Sequence, residues 1–135
     1  MSKSESGSRV VGIIVTHGKF AEEILRTSEL IYGRVEDCYA ICGSEISCGM
    51  LDDRIQGIIS ESEGKHIVLF VDYSGGSCCT SCLRAVREKR GVKVISGVNL
   101  PAFLDFVSKR DTMEFDEMIE HVVHRGKDSI RVVEL

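Results

Sequence analysis

Apolar positions along the chain alternate between short continuous runs and stripes at helical spacing. Val10 to Val15 is an unbroken apolar run closed by Thr16-His17-Gly18, the pattern of a strand buried on both faces of a parallel sheet. Phe20, Ala21, Ile24, Leu25 and Ile31 then fall on one helical stripe, with Glu22, Glu23 and Arg26 off it and Gly33 as the stop. Val35 to Cys42 reads as a second, weaker strand. Ser47 is placed to cap a helix carrying Leu51, Ile55, Ile58 and Ile59, although Gly57 weakens it. Ile67 to Val71 is again fully apolar and runs into Asp72-Tyr73-Ser74-Gly75-Gly76-Ser77, a turn-rich loop before a helix expected to reach Lys89 and close at Gly91. Val92 to Ile95 makes a fourth strand, and Pro101 suits the first turn of a short helix to Ser108. Asp111 and Glu114 have capping-box spacing ahead of a last helix with Phe115, Met118, Ile119, Val122 and Val123 on one face. Ile130 to Val133 reads as a final strand.

Strands alternating with helices predict an α/β fold: a doubly wound, mainly parallel sheet of four to five strands with helices on both faces. The 135 residues suffice for one domain, expected over residues 10–135 behind a disordered polar tail of residues 1–9. A formal charge of -4 leaves no basic footprint, which argues against nucleic acid or an anionic membrane as partner and suits a basic protein surface. The polar, Ser-rich start carries no apolar leader core, and no run approaches a membrane span, so the expected location is cytoplasmic.

Sheets of this class bind ligands beyond the carboxyl ends of their strands, where His17, Asp72 and the segment Gly97 to Asn99 would meet. A histidine after a strand is commonly a packing or capping residue, and an aspartate there commonly an N-cap. Together they suggest more: a carboxylate that accepts from one ring nitrogen fixes the tautomer and leaves the other nitrogen's lone pair as a nucleophile. Gly75-Gly76-Ser77 precedes a helix whose free N–H groups can hold phosphate oxygens. The glycine spacing fails the Walker pattern, so no nucleotide site is expected.

Gly12-Ile13-Ile14-Val15-Thr16-His17-Gly18, Phe70-Val71-Asp72 with Gly75-Gly76-Ser77, and Ser96-Gly97-Val98-Asn99-Leu100-Pro101 occur in that order across nearly the whole chain. In these stretches the sequence resembles the mannose-type enzyme IIA family of the bacterial phosphoenolpyruvate:sugar phosphotransferase system. The resemblance implies that His17 takes phosphate from the phosphohistidine of the carrier HPr and passes it to an enzyme IIB, which serves the membrane permease components IIC and IID. It implies Asp72 as the ring's orienting partner, transfer through the nitrogen facing away from it, and Gly75, Gly76, Ser77, Thr16 and Gly18 around the phosphate. No metal, nucleotide or other cofactor is implied. A homodimer in which Ser129 to Leu135 pairs with the partner's sheet is implied as well.

Where the family usually has a proline after Gly-Gly-Ser and an asparagine two residues on, this chain has Cys78 and Thr80. Cys78, Cys79 and Cys82 therefore crowd a helix start, where the dipole favours reactive thiolates. One reading makes Cys79 and Cys82 small core residues beside Leu83 and Val86; another makes Cys79-Thr80-Ser81-Cys82 a redox pair, with the protein a thiol sensor. Cys78 and Arg84 also match the cysteine-to-arginine spacing of cysteine phosphatases, but without the glycine of that loop and with Ala85 after the arginine. A zinc site using Cys38, Cys42 or Cys48 lacks the usual paired spacing. His121 and His124 near Glu117 read as a polar stripe rather than a chelate, and His66 as a surface residue. A regulatory module whose phosphorylation state reports sugar supply is the alternative to a transport role.

Overall fold

The computed structural model describes residues 8–43, 47–87 and 89–135. Four parallel strands, β1 (Val10–Thr16), β2 (Cys38–Cys42), β3 (His66–Val71) and β4 (Val92–Ser96), form one sheet in the order β2-β1-β3-β4. Helices α1 (Phe20–Tyr32), α2 (Cys48–Glu61), α3 (Ser77–Ala85), α4 (Leu100–Lys109) and α5 (Phe115–Asp128) cover both faces. The strands' period of two divides the core. Val11, Ile13, Val15, Ile67, Leu69 and Val71 face α2 and α3, whereas Val10, Ile14, Val68 and Phe70 face α1, α4 and α5. Each such side chain, taken out of water, contributes about 1.5–3 kcal/mol.

Local signals placed most element ends. Ser47 Oγ accepts from Met50 N at 3.2 Å, and Asn99 Oδ1 accepts from Ala102 N at 3.0 Å with Pro101 in the first turn of α4. Gly33 ends α1 at φ 96°, its N–H returning to Glu29 O.

Four sequence expectations need correction. The second strand starts at Cys38, not Val35, because Asp37 turns the chain at φ 55°. Helix α3 stops at Ala85, where the chain tightens into i→i−3 bonds from Arg87 N to Arg84 O and from Lys89 N to Val86 O. Glu114, not Asp111, caps α5 by accepting from Glu117 N at 3.0 Å. Asp111 is engaged elsewhere, accepting from Ser8 Oγ and Arg9 N at 3.2 Å each. Ile130 to Val133 joins no sheet and lies exposed, with Ile130 N turned back to Lys127 O at the end of α5 instead of entering a ladder. Of the tail, residues 1–7 lie outside the described residues, and Ser8 N also donates to Asp37 Oδ2 at 2.6 Å.

Arg110 bolts the amino-terminal ends of the strands together. Almost fully buried, its guanidinium donates to Val10 O at 3.2 Å and Glu36 O at 2.6 Å and lies 5.6 Å from the Phe106 ring centre. On the same face Phe106 packs so closely that a Cβ on residue 12 would sit 2.7 Å from its Cε2. Gly12→Ala is therefore expected to destabilise the fold by about 1–3 kcal/mol through overpacking. Chemical denaturation checks it; an unchanged midpoint would mean that Phe106 yields freely.

Candidate functional site

Residues β1 and β3 are neighbours at the centre of the sheet, and Val15 pairs with Val71, so the residues that follow them emerge side by side. From β1 the chain departs to β2 on one side, and after β3 it departs to β4 on the other. This is the point where an open α/β sheet parts its loops and leaves a crevice.

His17 and Asp72 meet there. Asp72 Oδ2 accepts from His17 N at 2.9 Å and faces His17 Nδ1 at 2.8 Å, while Oδ1 accepts from Tyr73 N at 3.0 Å. One carboxylate oxygen thus holds both the backbone and the ring of His17. Partial burial pushes the Asp72 carboxyl up, but the hydrogen bonds from the His17 backbone and ring outweigh it and hold the group below its ordinary 3.8. With Nδ1 turned to a carboxylate, the neutral ring carries its proton there and keeps a lone pair on Nε2. The ring is 37% exposed, open to an incoming molecule, whereas the carboxylate is 13% exposed.

Gly76 and Tyr73 frame the imidazole. A Cβ on residue 76 would stand 2.8 Å from His17 Cε1 and 3.0 Å from Tyr73 Cζ, so only glycine lets the helix start approach the ring. Tyr73 places its ring centre 5.5 Å from that of His17. Because Gly76 is the N-cap of α3 and has no side chain to give, no side-chain cap covers the first N–H groups of that helix. Gly75 and Ser77 lie exposed beside it, and Gly18, also exposed, takes φ 56° next to the histidine. An uncapped helix start beside an exposed imidazole can hold an anion's oxygens.

Thr16 does not belong with these residues. It is fully buried, and its Oγ1 accepts from Ala21 N at 2.6 Å, so the hydroxyl orders the start of α1 instead of reaching an anion. The Gly97 to Asn99 segment is structural too: Asn99 spends its amide on Ala102 N and, at 3.0 Å, on Gly126 O. Tyr73 was not anticipated, because one aromatic in a turn carries no periodic signal.

The three cysteines of α3 pack into the core. Cys78, Cys79 and Cys82 are all buried. Burial, with Asp72 adding to it, pushes the Cys78 thiol up to about 11, and burial raises Cys82 further. At Cys78 and Cys82 desolvation outweighs the helix dipole, which weighs against a redox reading of this helix start. Arg84 forks onto Asp52 of α2 at 3.1 to 3.4 Å instead of closing a phosphatase loop. His121 Nδ1 lies 2.6 Å from Asp105 Oδ2, joining α5 to α4, and His66 stacks on Phe115 with ring centres 4.2 Å apart. Among the described residues, neither His121 with His124 and Glu117 nor Cys38, Cys42 and Cys48 gather as metal ligands.

Comparison with known proteins agrees with this architecture. Residues 12–123 match the family model EIIA-man, described as the PTS system fructose IIA component. The mannose-specific EIIAB component of Escherichia coli K12 is 28% identical over 90% of this chain, which spans only 38% of that relative's length. The fructose-specific EIIA component of Bacillus subtilis is 25% identical over 89% of this chain and 84% of its own. A crystal structure of the phosphotransferase component EIIA from Streptococcus agalactiae superposes with a TM-score of 0.84 at 27% identity, covering 91% of this chain and 96% of that one. No described helix is long and apolar enough to cross a membrane. With its parallel sheet, its helices on both faces and a family match over most of its length, the chain belongs to the mannose-type enzyme IIA family of the sugar phosphotransferase system.

Proposed function

We propose that this protein is a cytoplasmic phosphoryl carrier that accepts phosphate on His17 from the phosphohistidine of HPr and passes it to an enzyme IIB, which serves a sugar permease. The observation that carries this reading is the double hold of Asp72 Oδ2 on His17 N and Nδ1, which leaves the Nε2 lone pair outside that contact. In the transfer the Nε2 lone pair forms a bond to phosphorus as the phosphorus–nitrogen bond of the donor breaks and its electron pair returns to the donor ring. The His17 ring becomes cationic, and the Asp72 carboxylate facing Nδ1–H stabilises that charge. The first N–H groups of α3, entered through Gly75, Gly76 and Ser77, offer donors to the phosphoryl oxygens. Catalysis here is positioning and charge stabilisation, and it uses no metal or nucleotide.

The reading extends to a homodimer. Beside the edge strand β4 lies an apolar groove of about 510 Å³ lined by Val94, Ile95, Ile119, Val122, Val123 and Ile130. Ile130, Val132, Val133 and Leu135 are exposed on a C-terminal segment that belongs to no helix or strand of its own chain. A second copy laying this segment along β4 would complete the edge and bury those side chains. Removing residues 130–135 is expected to leave a folded monomer; if sedimentation shows the same mass with and without the segment, the exchange is wrong.

Phosphate from isolated phospho-HPr is expected on the wild type as an acid-labile adduct, absent from His17→Ala. Asp72→Asn should slow transfer on the order of a hundredfold or more, because the tautomer is no longer fixed. Labelling of His17→Ala equal to wild type would exclude the carrier reading.

The lowered Asp72 value also sets a pH dependence of stability. A depressed carboxyl contributes fully above its unfolded value, near 3.8, and the contribution fades as pH falls through the lower folded value. The melting-temperature gap between wild type and Asp72→Asn is expected to stay constant above about pH 5 and to narrow below about pH 4. A gap that widens on acidification would contradict this assignment.

A further inference from the structure

Cys78 brings a third ligand-bearing side chain to the histidine and the carboxylate. Its Sγ lies 3.9 Å from His17 Nδ1, on the same side of the ring as Asp72 Oδ2 at 2.8 Å. The ligand atoms of the three residues all lie within 4.8 Å of one another, and among the described residues no other histidine, cysteine and acid set is so gathered. Gly43 seats the sulfur: a Cβ there would stand 2.9 Å from Cys78 Sγ.

We propose that His17 Nδ1, Asp72 and Cys78 form a binding site for a thiophilic divalent cation such as zinc, and that the bound ion switches His17 off as a phosphate acceptor. Zinc sits about 2.0–2.1 Å from nitrogen, about 2.0–2.2 Å from carboxylate oxygen and about 2.3 Å from sulfur. Tetrahedral ligands at those radii stand roughly 3.3–3.6 Å apart, so on binding the ring and the carboxylate open from 2.8 Å and the sulfur draws in from 3.9 Å. One nitrogen, one oxygen and one sulfur form a three-ligand set with a fourth position open to water.

The consequence for His17 follows from proton accounting. Coordination takes the Nδ1 lone pair, so the neutral ring must carry its proton on Nε2. Cys78 binds as thiolate and releases its proton to water. The Asp72 oxygen turns from the ring to the ion. Nε2, now an N–H, has no lone pair for phosphorus, and the uncoordinated form regains one when the metal leaves. Only this consequence rests on reading His17 as the phosphate acceptor; the binding itself does not.

The test is a cobalt(II) titration of the full, reduced, metal-free chain, with zinc as competitor. One cobalt per chain is expected, with a thiolate-to-cobalt charge-transfer band that zinc abolishes. Cys78→Ser should lose the band, His17→Gln should weaken affinity by at least about tenfold, and Cys48→Ser should match wild type. A band that survives in Cys78→Ser, or an affinity unchanged in His17→Gln, overturns the site; the latter decides even if Cys78→Ser fails to fold. In the second arm, isolated phospho-HPr labels the protein with and without one equivalent of zinc. Zinc should suppress labelling of the wild type, a chelator should restore it, and Cys78→Ser should give the same yield in both conditions. Labelling unaffected by bound zinc overturns the switch. A wild type that binds cobalt through Cys78 yet takes no phosphate without metal overturns the carrier reading and leaves the metal site standing.

Discussion

A single carboxylate oxygen organises the chemistry of this protein. Asp72 Oδ2 receives both the backbone N–H and the ring Nδ1 of His17, which ties the end of β1 to the end of β3 and aims the imidazole in the same act. The two residues lie far apart in sequence, and only the parallel pairing of the two central strands makes them neighbours. The parting of the loops between those strands supplies the crevice, and the bare N-cap at Gly76 supplies uncapped donors beside the ring. Remove the carboxylate and the remaining parts still stand, but nothing selects which nitrogen is free.

The opposite end of the sheet is managed by the contrary principle. There the starts of β1 and β2 are tied off: Arg110 donates to Val10 O and Glu36 O, Asp111 accepts from Arg9 N, and Asp37 accepts from Ser8 N. Arg110 is itself a concession, since its Nε is buried without a hydrogen-bond partner among the described residues. One end of the sheet is thus closed by side-chain cross-links and the other is left with exposed donors and an exposed ring. Stability and chemistry occupy different ends of the same strands.

Much of this was legible in the residues. Strands β1 and β3 were readable because burial on both faces leaves an unbroken apolar run, and the cap at Ser47 because its hydroxyl acts within three residues; at α4 only Pro101 was read, not the Asn99 cap beside it. His17 and Asp72 could be paired because both follow such runs. What escaped depends on long-range geometry. Asp111 has capping-box spacing from Glu114, yet a partner about a hundred residues earlier in the chain claims its oxygens. Thr16 has a hydroxyl beside the histidine, yet strand alternation turns it inward to Ala21 N. The thiols of α3 stand at a helix start, yet burial there outweighs the dipole. The C-terminal apolar run has strand composition, yet Ile130 N turns back to Lys127 O and the run joins no strand of the sheet.

A second histidine–aspartate pair shows what sets the proposed site apart. His121 Nδ1 approaches Asp105 Oδ2 at 2.6 Å, and its ring is as exposed as that of His17, 36% against 37%. The pair geometry alone therefore distinguishes nothing. The surroundings do: Asp105 also faces Lys109 Nζ at 3.4 Å and Arg125 Nε at 4.0 Å, so its charge is divided among three cationic or polar partners that fasten α4 to α5. Among the described residues Asp72 makes no ion-pair contact except with the ring it orients, and it accepts otherwise from backbone N–H groups that carry no net charge. When the His17 ring becomes positive, its carboxylate is undivided. His121 itself lies in the interior of α5. A charge that can develop needs a counter-charge held in reserve, and of the two pairs only His17 with Asp72 keeps one.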